Sequence, residues 1–195
     1  MIIEKPKPHR YNYISFDYPN EDWMKKYYWD LRREVFCEEQ HVFEESDRDD
    51  IDEYGLPIVA MDEDMGLIRN VVGVVRIDER SPREWWGTRL CVDKNYRTHS
   101  GFNTNFLFDS DFFNPAFTSS IGAALIFKAV STANYLGCDH FYAHVQIQNV
   151  KFFNRLYWKS IQPVELHGMQ HMLMEASLIK YPPVAWADQV KQVLQ

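Results

Sequence analysis

The side chains best suited to carry a reaction in this chain are a few histidines and a dense run of carboxylates. His144 and His171 have imidazoles matched to proton transfer near neutral pH, and Glu39 is a carboxylate candidate for the same task. His140 and His144 share one face of an alternating apolar segment, but no third ligand stands at fixed spacing, so no metal site is indicated. Between Glu38 and Glu53 stand nine carboxylates, Asp47 and Asp50 among them, in a stretch too polar for a core element. Such a run is either a solvated face or, through charge complementarity, a recogniser of cations. The third feature is the small-residue segment Ser119, Ser120, Ile121, Gly122, Ala123, Ala124, which opens a helical pattern. Small residues let the backbone approach a ligand, and the unpaired amides of a first helical turn favour a pyrophosphate; the same residues also suit tight packing of a helix on a sheet.

These residues need elements to position them. Tyr11–Phe16 alternates aromatic and polar residues and predicts a strand. Trp23, Met24, Tyr27, Tyr28, Leu31 and Val35 recur at helical spacing, with Asn20 or Asp22 as cap and an end near Cys37. Pro57–Asp62, Val71–Asp78 and Leu90–Asp93 predict three strands, the last preceded by Trp85-Trp86-Gly87. Ser119 or Ser120 caps a helix whose face carries Ile121, Leu125, Ala129, Ala133 and Leu136 and which Gly137 ends. A strand over His140–Val145, a short helix over Val150–Tyr157 and two strands over Ile161–Leu166 and His171–Ala176, joined around Gly168, complete the pattern. The result is a mixed α/β sheet flanked by helices, without repeats. Residues 98–118, rich in Phe, form a long inserted loop, and 184–194 predicts a terminal helix.

At 195 residues and 46% hydrophobic content, a single domain is expected. A net charge of −7 argues against nucleic-acid binding. No apolar run approaches the roughly 18 residues of a membrane span, and the N-terminus lacks a secretory pattern, so no membrane partner and a cytoplasmic location are expected. Cys37, Cys91 and Cys138 show no zinc or disulfide spacing and are expected in the core.

Arg89-Leu-Cys-Val-Asp-Lys-Asn-Tyr-Arg97, followed by Ser119-Ser-Ile-Gly-Ala-Ala124, resembles the cofactor motif of GNAT N-acetyltransferases, a strand followed by Q/R-x-x-G-x-G/A. Asn149-Val-Lys-Phe-Phe-Asn-Arg-Leu-Tyr-Trp158 resembles the later helix of that superfamily. Leu31-Arg-Arg-Glu-Val-Phe-Cys-Glu-Glu-Gln40 with Asp47-x-Asp-Asp, and His167-Gly-Met-Gln-His171-Met-Leu-Met174, are similar to signatures of the small bacterial ElaA-type branch and of the GNAT proteins linked to nitrogen starvation and nitrilase clusters.

The resemblance implies a largely antiparallel sheet whose fourth and fifth strands splay to admit acetyl-CoA. It implies pantetheine contacts at Cys91 and Val92, and phosphate contacts at Arg97 and from Ser119 to Ala124. Asn149 and Phe153 would flank the thiol. Phe153 stands where many relatives carry an aromatic alcohol that protonates the leaving thiolate, and Ser119 where they carry Gln or Arg. Arg32, Phe36, Gln40, Asp47, Asp50 and Arg76 are implied to bind a small amine acceptor, cationic or amino-acid-like. No metal is implied. His171, in a matched motif, or His144 or Glu39 would take the amine's proton. The same Arg32, Phe36, Asp47, Asp50 and Arg76 set also resembles acyl-homoserine-lactone synthases, which use long acyl chains; a non-catalytic coenzyme A sensor is a further alternative. The Phe-rich insertion would either lid the site or cover a second copy in a homodimer.

Overall fold

The computed structural model describes residues 13–64, 67–98 and 114–183. The expected inserted loop lies largely, and the expected terminal helix wholly, outside the described residues. The chain begins with strand β1 (Tyr13–Asp17) and helix α1 (Asp22–Arg33), which continues into a π-helical segment, Glu34–Glu39. Strands β2 (Leu56–Asp64), β3 (Leu67–Ser81) and β4 (Glu84–Val92) form a meander. Helix α2 (Ile121–Tyr135), strand β5 (His140–Gln146), helix α3 (Val150–Arg155) and the hairpin β6 (Trp158–Leu166) to β7 (Met169–Ala176) follow. The seven strands make one sheet in the order β1-β2-β3-β4-β5-β7-β6, in which only β4 and β5 pair in parallel.

Helix α1 lies on one face of this sheet. Met24, Tyr28 and Leu31, at spacings of four and three, are buried with Val59, Met61, Val71, Val74 and Cys91. Trp23 and Tyr27, expected on the same stripe, are exposed instead, and the N-cap is Glu21, which makes no side-chain cap, rather than Asn20 or Asp22. The stripe turns into a π-helix because Gln40 donates its amide to the Val35 carbonyl five residues back, 2.9 Å away. That wider turn is where Phe36 sits, followed by Gln40.

Helix α2 covers the opposite face and is buried on nearly every side from Ile121 to Ala133, so the single face expected for it is too narrow a description. Ser120 is its cap and accepts the Ala123 amide on its hydroxyl. Gly73 on β3 makes the close approach possible, since a Cβ there would stand 2.8 Å from Leu125 Cδ1 and 3.1 Å from Ile121 Cγ2. Among the described residues no helix is long and apolar enough to cross a membrane.

Gly73→Val should therefore push α2 off the sheet and lower the unfolding free energy by about 1–3 kcal/mol, as read by urea denaturation.

Candidate active site

Beyond the core, β4 does two things that a regular strand does not. Its ladder with β5 runs only from Glu84↔His140 to Trp86↔Tyr142, so Gly87–Val92 and Ala143–Gln146 continue without pairing to each other. On its other edge, Val74 faces Cys91 and Arg76 faces Thr88, leaving Arg89 and Leu90 both opposite Val75. This is a β-bulge, and Arg89 takes it up at φ 55°, a backbone region unfavourable for a side chain of its kind. Bulge and splay together open a cavity of about 310 Å³ between β4, β5, the π-helical segment and the β6–β7 turn. Phe36, Gln40, Arg76, Arg80, Arg89 and His144 are on its wall.

In and behind that wall lies a network of three guanidiniums and three carboxylates. Arg32, fully buried, donates Nε to Asp47 Oδ2 (2.7 Å) and Nη2 to Asp52 Oδ2 (3.0 Å). Arg76, 1% exposed, grips Asp49 with both terminal nitrogens, lies 2.6 Å from Asp52 and donates Nε to Thr88 Oγ1. Arg89 donates to the Asp47 carbonyl and to Asp49 Oδ2 (2.9 Å) and lies over the Phe43 ring. Burial alone would raise the carboxyls, yet the hydrogen bond from Arg76 to Asp49, and that from Arg32 to Asp52, outweigh it and hold both below the ordinary aspartate range. Arg89 is shifted down by burial and by its Arg76 and Arg32 neighbours, against the pull of Asp49 and Asp47.

The histidines differ in how they are held. His171 is buried, and its Nδ1 lies 3.0 Å from the Met169 carbonyl; a carbonyl only accepts, so Nδ1 carries a hydrogen. His144 is half-buried beside Trp86, ring centres 4.9 Å apart, and its nitrogens have no hydrogen-bond partner among the described residues. Burial, then the positive charge of Arg80 and the proximity of His171, push His144 below the usual histidine value, so it is neutral at pH 7.

The structure thus brings Phe36, Gln40, Arg76, Asn149, Phe153, His144 and His171 to one cavity. It keeps others away. Glu39 is exposed and forms a bidentate ion pair with Arg97, which holds the carboxyl below its ordinary value; Arg97 also donates Nε to the Val92 carbonyl. The expected base and the expected phosphate ligand therefore engage each other. Arg32 and Asp47 stand behind the wall, and Asp50 is exposed outside the network, whose remaining carboxylates are Asp49 and Asp52. Of the nine carboxylates in the acidic segment expected to greet a cationic acceptor, Asp47, Asp49 and Asp52 are engaged by the arginines of this network. Cys91 points into the α1 layer, where burial drives its thiol far up, so only its backbone is available to the cleft. Ser119 bonds back to Ala116, while the Ile121 and Gly122 amides have no partner among the described residues. A Cβ at Gly122 would meet only Val92 Cγ2 at 3.8 Å and Ser120 Oγ at 3.9 Å, so space lies open beside the end of β4. Arg80, Trp86 and Arg89 are site residues the sequence reading did not assign; Arg76 and Arg80 on β3, and Trp86 and Thr88 on β4, follow the two-residue period that puts alternate side chains on one face.

Neither a family model nor a curated protein sequence matches the chain. Solved structures do. Escherichia coli ElaA is 16% identical with a TM-score of 0.61, over 85% of this chain and 99% of that one. An acetyltransferase of the GNAT family from Staphylococcus aureus is 14% identical with a TM-score of 0.55, over 85% and 99%. The fold is the GNAT fold. The acyl-homoserine-lactone synthase LasI shares it too, at 16% identity and a TM-score of 0.54, over 86% and 91%. As expected of this fold, the sheet is largely antiparallel and the fourth and fifth strands part.

Arg32→Met would strand Asp47 and Asp52 without their buried partner and should cost about 3–5 kcal/mol in urea denaturation. Because the Asp49 and Asp52 carboxyls are depressed in the folded state, their contribution is complete above the unfolded value of about 3.9. It should be lost as pH falls through the lower folded values, seen as a drop in urea midpoint below about pH 4.

Proposed function

We propose that the protein transfers an acetyl group from acetyl-CoA to the amine of a small acceptor by direct attack. The observation that carries this reading is the parting of β4 and β5 beside the Arg89 bulge, with neutral His144 on the cavity wall.

The chain's groups fit such a donor. The free Ile121 and Gly122 amides and the positive end of α2 suit a pyrophosphate, and Gly122 leaves room for it beside Val92. The unpaired edges of β4 and β5 suit the amides of a pantetheine arm, with Asn149 and Phe153 at the cavity end. Acetyl-CoA supplies the activated carbonyl. A backbone N–H near Val92 would polarise that carbonyl, and His144 would accept the proton from the attacking amine. Phe153 has no proton to give, so the thiol leaves as thiolate, which its ordinary acidity of about 8.5 tolerates. His171, anchored through Nδ1 to the Met169 carbonyl, stands close enough to His144 to help depress it.

Acyl size separates this reading from the long-chain one. The apolar recess between the splayed strands, bounded by Leu90, Phe141, Phe153 and Trp158, holds only about 30 Å³. That is room on the scale of a methyl group, and a long acyl chain would have to displace these aromatic rings. A role limited to sensing coenzyme A is disfavoured by the open cavity and the unbonded His144.

Thiol release from acetyl-CoA with a panel of small amines tests the reading. The acceptor kcat/KM should fall on the acid side with a midpoint below 6.5, histidine's ordinary value. His144→Phe should lower kcat about 100-fold or more with acetyl-CoA affinity retained; unchanged kcat in that variant would remove His144 from the reaction.

A further inference from the structure

The polar groups on the cavity wall are unevenly spent. Asp49, whose side chain is 35% exposed, is the one carboxylate on that wall among the described residues, and both its oxygens are taken by Arg76, with Arg89 added to the second. Asp47, Asp52 and Asp78 lie behind it. Among the described residues the wall therefore has no unengaged carboxylate for an ammonium group.

It does have unengaged donors. Arg80 gives Nε to the buried Asp78 (Oδ2, 2.7 Å), and its guanidinium lies 4.4 Å over the Trp86 ring. Its two terminal nitrogens have no partner among the described residues, and its side chain is 32% exposed on the cavity side. Asp78 and Trp86 hold the fork in place and leave its two terminal nitrogens unengaged among the described residues. A planar fork held in this way matches the two oxygens of a carboxylate. His144 packs against the same Trp86 ring, centroids 4.9 Å apart, and lines the same cavity as Arg80. An α-amino acid carries a carboxylate acceptor for such a fork and, one carbon away, an amine for a neutral imidazole in the same cavity.

Resting on the proposed amine acetylation, we infer that Arg80 is the carboxylate anchor of the acceptor, and that the acceptor is an amino-acid-like molecule carrying a carboxylate beside the amine to be acylated. The acidic segment acts in this arrangement as the scaffold of the arginines and not as the acceptor's partner. The amine loses its proton to His144 as its nitrogen bonds to the acetyl carbon, and the carbon–sulfur bond breaks to release coenzyme A thiolate, so no further reactant is needed.

The test uses the full chain, acetyl-CoA and a panel of L-amino acids, each beside its decarboxylated amine. The amino acid of a pair should be acetylated with the higher kcat/KM. Arg80→Gln should raise KM for the amino acid about 10- to 100-fold more than it raises KM for the matching amine. Arg80→Lys, which keeps the charge but loses the fork, should fall between. Acetylation of the amines in preference to the amino acids, or an Arg80→Gln effect equal on both, would overturn the inference while leaving acetyl transfer in place. Failure of every amino acid to accept an acetyl group would also overturn it; acetylation of the amines in that case would keep the broader reading, and its absence would end both.

Discussion

Three arginines, two of them fully buried, paired with three aspartates hold this structure in its working shape. Arg32 comes from α1, Arg76 from β3 and Arg89 from the β4 bulge, while Asp47, Asp49 and Asp52 come from the loop that follows the π-helical turn. Removing such charges from water is costly, and the cost is offset only when each finds its counter-charge in good geometry. The network therefore ties four segments of the chain together at one point. It also explains how Arg89 can sit at φ 55°: its guanidinium is anchored by the Asp47 carbonyl and Asp49, so the surroundings hold a backbone conformation that would otherwise relax.

The bulge in turn shapes the cavity. Next to it, β4 and β5 lose their common ladder after Trp86 and Tyr142, exposing backbone groups that a continuous sheet would have consumed. Helix α2 brings its Ile121 and Gly122 amides, without a partner among the described residues, to the end of β4 because Gly73 lets it lie close on the sheet. The histidines arrive from β5 and β7 through the register that pairs Gln146 with His171 and His144 with Leu173. Electrostatics at the site are thus set by the fold: His144 is neutral because it is half-buried and faces Arg80.

Much of this was legible in the sequence where one period dominates. The strand alternation of His140–Val145, the cap at Ser120 and the turn at Gly168 come from local chemistry and appear where expected. The described strands and helices make the mixed α/β sheet of the GNAT fold that the motifs implied. What was hidden depends on long-range pairing. Arg32 and Arg76 were marked as acceptor residues, but nothing periodic reveals that Asp49 and Asp52 neutralise them, or that Glu39 pairs with Arg97. A bulge centred on arginine carries no glycine to announce it. The π-helical turn was hidden because its first turns share the apolar spacing of an ordinary helix.

The account stands on the cleft between β4, β5 and the start of α2 holding an acyl-CoA. Calorimetric titration of acetyl-CoA into the wild-type chain and into Gly122→Trp measures this directly, because a side chain at 122 starts beside Val92, where the pyrophosphate is proposed to lie, and its Cβ is met no closer than 3.8 Å among the described residues. Micromolar binding by the wild type that is lost in Gly122→Trp is the predicted result. No binding by the wild type, or equal binding by both, would contradict the account.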